Sequence, residues 1–201
     1  MMMFADTSRG RPFAKDPAVV RLGDRYLTYY TICPFGDDRE GDGYGIGIAE
    51  SLDMDNWTKI DEIQPVQECE QNGICAPGAI VLDETVHLFY QTYGNHENDA
   101  ICHATSTEGT QFDRDPTNPI IKPTGDWNCG RAIDGDVIDW NGELLLYWAT
   151  RDPDYNIQLI GVSSAPLESN FSRDTWTQRC DAPILAPELS WEQKCIEASA
   201  V

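Results

Sequence analysis

The sequence predicts an all-β fold, a β-propeller of four-stranded antiparallel blades, on three observations: a repeat of about sixty residues, hairpins at one register within each repeat, and no amphipathic helical period in between. Three segments carry a short strand, a turn and a second strand ending in paired aromatics, starting at Asp16, Ala76 and Asp134. A fourth begins at Glu197, so the intervals are 60, 58 and 63 residues. In each repeat the second aromatic (Tyr30, Tyr90, Trp148) follows the start by 14 residues, and the residue before it is also aromatic (Tyr29, Phe89, Tyr147). Polar pairs at Gly23-Asp24, Asp83-Glu84 and Asn141-Gly142 supply the hairpin turns, the last being the strongest short signal.

A third strand follows each hairpin, at 44–51, 99–106 and 157–164. A polar turn then leads to a fourth strand opened by an aromatic residue, Trp57, Phe112 or Trp176, placed to wedge one blade against the next. Four short strands per unit describe a propeller blade. The boundaries are about 12–65, 72–122 and 130–188, with a fourth blade starting at about 195–201, all within one partial catalytic domain. Three blades cannot close a ring, because known propellers have roughly four to eight. An open set also leaves an unpaired strand edge. The reading therefore expects the gene product to continue past Val201.

Composition narrows the function. With 34 acidic against 14 basic residues the net charge is −20, which disfavours nucleic acid and anionic membranes as partners and leaves neutral sugars acceptable. No apolar run is long enough to span a bilayer, and no signal peptide is visible, so localisation stays unknown. Seven cysteines with no Cys-x-x-Cys pair argue for free, mostly buried thiols, Cys69 and Cys75 being the pair that could join locally. Three histidines at no zinc-ligand spacing give no metal site.

The repeat brings chemistry to the axis. The first strand of a blade lines the central channel, so Asp16, Ala76, Asp134 and Glu197 gather there, each beside small or apolar residues. Cleaving a glycosidic bond needs two flanking carboxyl groups, and a third charge helps to push their pKa values apart. Arg131 and Trp127 are candidate sugar contacts, by hydrogen bonding and by stacking; an ion pair and structural packing are their alternatives. His103 reads as a structural histidine, with an axial metal or water site as the alternative, and Gln91 and Tyr93 as core.

The motifs Lys15-Asp16-Pro17-Ala18-Val19, Arg131-Ala132-Ile133-Asp134-Gly135-Asp136-Val137 and Cys195-Ile196-Glu197-Ala198-Ser199, with Ser51-x-Asp53-x-x-x-Trp57-Thr58, resemble those of glycoside hydrolase family 43. That resemblance implies a five-bladed propeller acting, as a monomer without a required cofactor, on arabinose-, xylose- or galactose-containing glycans. It implies Asp16 as the base that activates water, Glu197 as the acid, and Asp134 as the carboxylate that raises the acid's pKa. Asp136 shares a strand face with Asp134 and could exchange roles with it. Some relatives hold a structural calcium on the axis, for which no oxygen cage is visible in this sequence. The related fructosidases show an Asn-Asp-Pro-Asn-Gly box around a nucleophilic aspartate; Lys15-Asp16-Pro17-Ala18 departs from it and favours inversion. A retaining fructosidase, a phosphorolytic propeller enzyme and a non-catalytic glycan-binding propeller are the competing readings. A secreted or periplasmic location would suit the full-length enzyme.

Overall fold

A computed structural model describes residues 4–37 and 42–201. It contains three separate four-stranded antiparallel sheets, each ordered along the chain. The first comprises β1 (Lys15–Leu22), β2 (Arg25–Ile32), β3 (Gly45–Ser51) and β4 (Thr58–Ile63). The second comprises β5 (Ile74–Leu82), β6 (Thr85–Thr92), β7 (Ile101–Ser106) and β8 (Asp113–Arg114). The third comprises β9 (Ile133–Trp140), β10 (Glu143–Arg151), β11 (Gln158–Pro166) and β12 (Thr177–Gln178). Among the described residues the helical turns are short 3₁₀ pieces, and no helix is long and apolar enough to cross a membrane.

The hairpins form where the turn chemistry asks for them. Asn141 and Gly142 both take positive φ (54° and 83°), as a type I′ turn requires, and Asp83 and Glu84 do the same at 46° and 60°. The second aromatic of each repeat is fully buried and faces a small residue on the third strand: Tyr30 opposite Gly47, Tyr90 opposite Cys102, Trp148 opposite Gly161. A Cβ at Gly47 would come within 2.4 Å of the Tyr30 ring, and one at Gly161 within 2.2 Å of the Trp148 ring. The glycines are therefore the space into which the aromatics fold.

Two apolar clusters hold the blades side by side. One joins Leu27, Tyr29, Ile46 and Ile48 of the first sheet to Val86, Leu88, Tyr90 and Ala104 of the second. The other joins Phe89 and Ile101 of the second to Val137, Leu144, Leu146 and Trp148 of the third. Burying each such side chain contributes about 1.5–3 kcal/mol. The predicted wedges are present at both junctions: Phe112 meets Tyr29 edge-on at 5.5 Å, and Trp176 meets Phe89 at 5.9 Å. Trp57 packs within its own sheet, against the cluster of Tyr30, Ile32 and Ala49.

The junction of the first two sheets also buries a charge. Glu70, with no exposed surface, accepts the Tyr90 hydroxyl at 2.5 Å and Arg114 Nε at 3.0 Å on Oε1. Its Oε2 takes the backbone N–H groups of Val66 and Gln67 at 2.7 and 3.1 Å. Arg114 in turn donates to the Gln64 carbonyl at 2.9 Å, just beyond β4.

Two expectations are corrected. Residues 196–201 form no strand; Cys195 makes only an isolated parallel bridge to Gln158. Among the described residues no segment offers them an antiparallel partner, so no ladder forms. Cys69 faces Cys102, at 4.0 Å between sulfurs, rather than Cys75. Of the seven free thiols only Cys33, Cys75 and Cys102 are buried, and Cys195 is exposed.

Candidate active site

The innermost strand of each sheet is broken at the same place. Register shifts fall between Lys15 and Ala18, between Cys75 and Gly78, and on β9 opposite Tyr147 to Ala149. At each break one residue adopts the left-handed backbone: Asp16 (φ 53°), Ala76 (φ 46°) and Asp134 (φ 50°). A bulge of this kind turns a side chain out of the alternation of its strand. Here it points the first residue of every blade at a common cleft of about 210 Å³, lined by Asp16, Ala76, Asp134, Asp136 and residues 198–200. The inner strands touch closely, for a Cβ at Gly78 would lie 2.3 Å from the Gly135 carbonyl oxygen.

The bulges of the second and third blades are each gripped from the blade before. Thr31, fifteen residues after Asp16, accepts the Ala76 N–H at 2.9 Å and donates its hydroxyl to Asp16 Oδ2 at 3.0 Å. Gln91, fifteen residues after Ala76, accepts the Asp134 N–H at 2.7 Å. The same step in the third blade is Ala149, which has no side-chain acceptor; there Gln158 Nε2 donates to the Glu197 carboxylate instead. Asp16 is further paired with Lys15, Nζ to Oδ1, at 3.2 Å.

Asp134 carries the perturbed proton. Its pKa is pushed up to about 6, first by burial and then by the charges of Glu197 and Asp16, with Lys15 and Arg131 working in the opposite sense. Glu197 and Asp16 are therefore close enough to act on Asp134. A carboxyl whose folded pKa lies above its unfolded one binds more protons in the native state, so stability falls as pH rises from about 4 to about 6. The cost at neutral pH is on the order of 3 kcal/mol. Asp134→Asn is therefore expected to raise the urea midpoint at pH 7.5 and to leave it nearly unchanged at pH 4. Equal midpoints for wild type and variant at both pH values would contradict the buried-charge account.

Other predicted residues are distributed unevenly. Glu197 is exposed and lies off any strand, beside the cleft lining rather than in it, with its carboxylate held by Gln158. Asp136 lines the cleft and accepts the Val201 N–H at 3.0 Å. Arg131 is held by Asp99 at 3.4 Å and lies within electrostatic reach of Asp134. Trp127 stacks on Trp148 with ring centres 5.7 Å apart, among the core residues of the second junction, so the structure places it in packing and not at the cleft. His103 is likewise packing: its ring stacks on Phe89 at 4.8 Å, its Nε2 is 3.1 Å from His87 Nδ1, and burial followed by the neighbouring His87 brings its pKa to about 4. Tyr93 meets Tyr44 edge-on at 4.8 Å. Among the described residues no group of three or more His, Cys, Asp or Glu side chains is placed to hold a metal ion. Thr31, Gln91 and Gln158 are the additions from the structure; the recurrence of a polar residue at the fifteenth step was the signal that could have found the first two.

The sequence profile of the glycosyl hydrolases family 32 N-terminal domain matches residues 12–159, the greater part of the chain and all of its first two blades. The chain belongs to family 32. A comparison with curated protein sequences gives no match. This family 32 domain resembles the fructan 1-exohydrolase IIa of Cichorium intybus, with 20% identity and a TM-score of 0.66 over 86% of this chain and 32% of that one. It resembles Zg3597, a family 117 glycoside hydrolase of Zobellia galactanivorans, with 17% identity and a TM-score of 0.69 over 92% and 61% of the two chains. A thermostable family 43 glycoside hydrolase gives 19% identity and a TM-score of 0.66 over 95% and 59%. The family 43 likeness is thus one of fold, shared across these families. The family 32 domain spans about a third of the length of the exohydrolase and about three-fifths of the other two.

Proposed function

We propose that the protein is a glycoside hydrolase that cleaves fructosyl bonds, with Asp16, Asp134 and Glu197 around the reacting centre. The observation that carries this reading is the presentation of Asp16 and Asp134 by matched left-handed bulges in a family 32 domain, with Glu197 near enough to raise Asp134's proton affinity. Asp16, held at both oxygens by Lys15 and Thr31, is the nucleophile toward the anomeric carbon. Glu197 protonates the leaving oxygen and later takes a proton from the attacking water. Asp134, ionised above about pH 6, stabilises the positive charge that develops on the sugar ring.

A second reading is favoured by one feature. Lys15-Asp16-Pro17-Ala18 lacks the asparagines and glycine of the fructosidase box, which suits Asp16 as a base that activates water in an inverting reaction on arabinose-, xylose- or galactose-type bonds. In that case the acid and base would stand about 6.5–9.5 Å apart, against about 5–5.5 Å for retention. Proton NMR of the first-formed product separates the two. The full-length protein would be given sucrose, a fructan oligosaccharide and aryl arabinofuranosides, xylosides and galactosides. Fructose released with its anomeric configuration retained is the expected outcome; arabinose, xylose or galactose released with inversion would replace the first reading with the second. Binding of these sugars without hydrolysis would leave only a glycan-binding propeller.

A further inference from the structure

Blade two departs from its neighbours at one core position. The residue facing the second aromatic is Gly47 in blade one and Gly161 in blade three, but Cys102 in blade two. The cysteine is fully buried beside Tyr90, and its sulfur lies 4.0 Å from that of Cys69. Cys69 sits in the 3₁₀ turn Glu68–Glu70, only partly buried, and lines a surface cavity of about 320 Å³ with Thr92, Asn95 and Pro119. One cysteine therefore borders a surface cavity and the other stands behind it in the core.

From this geometry we infer that Cys69 and Cys102 are a modification site, closed to a disulfide by a peroxide. The polarity of the pair suits the step. The contact with Cys102 holds Cys69 below the ordinary thiol range, while the same contact and burial hold Cys102 well above it. The thiolate, which is the reactive form, is thus on the accessible side. Cys69 sulfur attacks one peroxide oxygen, the O–O bond breaks, and hydroxide leaves and is protonated to water. The Cys102 thiol then attacks the sulfenic sulfur; the S–S bond forms, the S–O bond breaks, and the oxygen departs as a second water with the Cys102 proton. Two thiols are oxidised and one peroxide is reduced. The bond would tie the turn that carries Glu70 to β7 across a 33-residue separation, a loop closure that restrains the unfolded chain.

The test is a thiol map of the whole protein after brief treatment with hydrogen peroxide, alkylation in denaturant and proteolysis. The expected result is a linked peptide pair bearing Cys69 and Cys102, a loss of 2 Da that dithiothreitol reverses, and a higher unfolding midpoint. In Cys102→Ala a sulfenic acid at Cys69 should persist and be trapped by dimedone. The inference is overturned if Cys69 joins a different cysteine, or if Cys69 and Cys102 both remain alkylatable under conditions that oxidise the exposed Cys195. Because the wild-type map alone decides the linkage, a variant that fails to fold does not remove the test.

Discussion

Asp16→Asn in the full-length protein is expected to lower kcat by about 10²- to 10⁴-fold if Asp16 is a base, and by at least as much if it is the nucleophile, with KM little changed. The amide is nearly isosteric, and its oxygen can still accept the Thr31 hydroxyl bond now made to Oδ2. The left-handed backbone at φ 53° suits asparagine as well as aspartate. What the substitution removes is the negative charge and the electron pair that attacks carbon or draws the proton from water. It also releases Lys15 from its partner at 3.2 Å, but that lysine is largely exposed and its ion pair contributes little to stability. The comparison that decides is kcat on the best substrate for wild type, Asp16→Asn and Glu197→Gln, beside melting curves showing all three folded. Wild-type turnover in both variants would remove these residues from the chemistry.

The second large effect is on stability. Glu70→Ala is expected to cost about 3–5 kcal/mol, the range for removing one partner of a buried ion pair. The loss is not of a single contact. Two backbone N–H groups, the Tyr90 hydroxyl and the Arg114 guanidinium all converge on one carboxylate that has no water contact. Alanine would strand these donors at the junction where the first blade hands over to the second. Glu70→Gln keeps the shape but only one acceptor oxygen, sets its amide N–H groups against the donors that met the other and leaves Arg114 without its countercharge, so it should fall between alanine and wild type. Equilibrium urea unfolding of the three proteins measures this. A Glu70→Ala protein within about 1 kcal/mol of wild type would show that the carboxylate is no more than a replaceable acceptor.

How much of this could be read in the sequence follows from the range of each interaction. The blades were legible because strand alternation, hairpin turns and paired aromatics are local, and the repeat offered the same pattern three times. Asp16 and Asp134 were legible for the same reason: matched register put them at matched bulges. Glu70 and Arg114 were not, because their partnership crosses 44 residues and neither stands at a repeated position. Trp127 looked like a candidate for stacking on a sugar from its loop, yet it stacks on Trp148, a partner 21 residues away that the loop's own sequence does not reveal. For Glu197 the register gave the right neighbourhood and the wrong backbone, since a strand exists only where another strand pairs with it. Gln158, the residue that holds its carboxylate, belongs to a third strand that the inner-strand pattern does not describe.

Ala76 gives the repeat a different meaning. A left-handed alanine is disfavoured by roughly 1–2 kcal/mol, and yet blade two keeps the turn, with Thr31 still fastening its N–H at 2.9 Å. The conformation is therefore held by the neighbouring blade and not chosen by the side chain. Blade two is in effect an empty socket, shaped like those that hold Asp16 and Asp134 and opening on the same cleft. The backbone would already present one more acid than the cleft holds. A carboxylate in that socket would join Asp16, Asp134 and Asp136 around the cleft and drive Asp134's proton affinity higher still, moving its ionisation toward neutral pH.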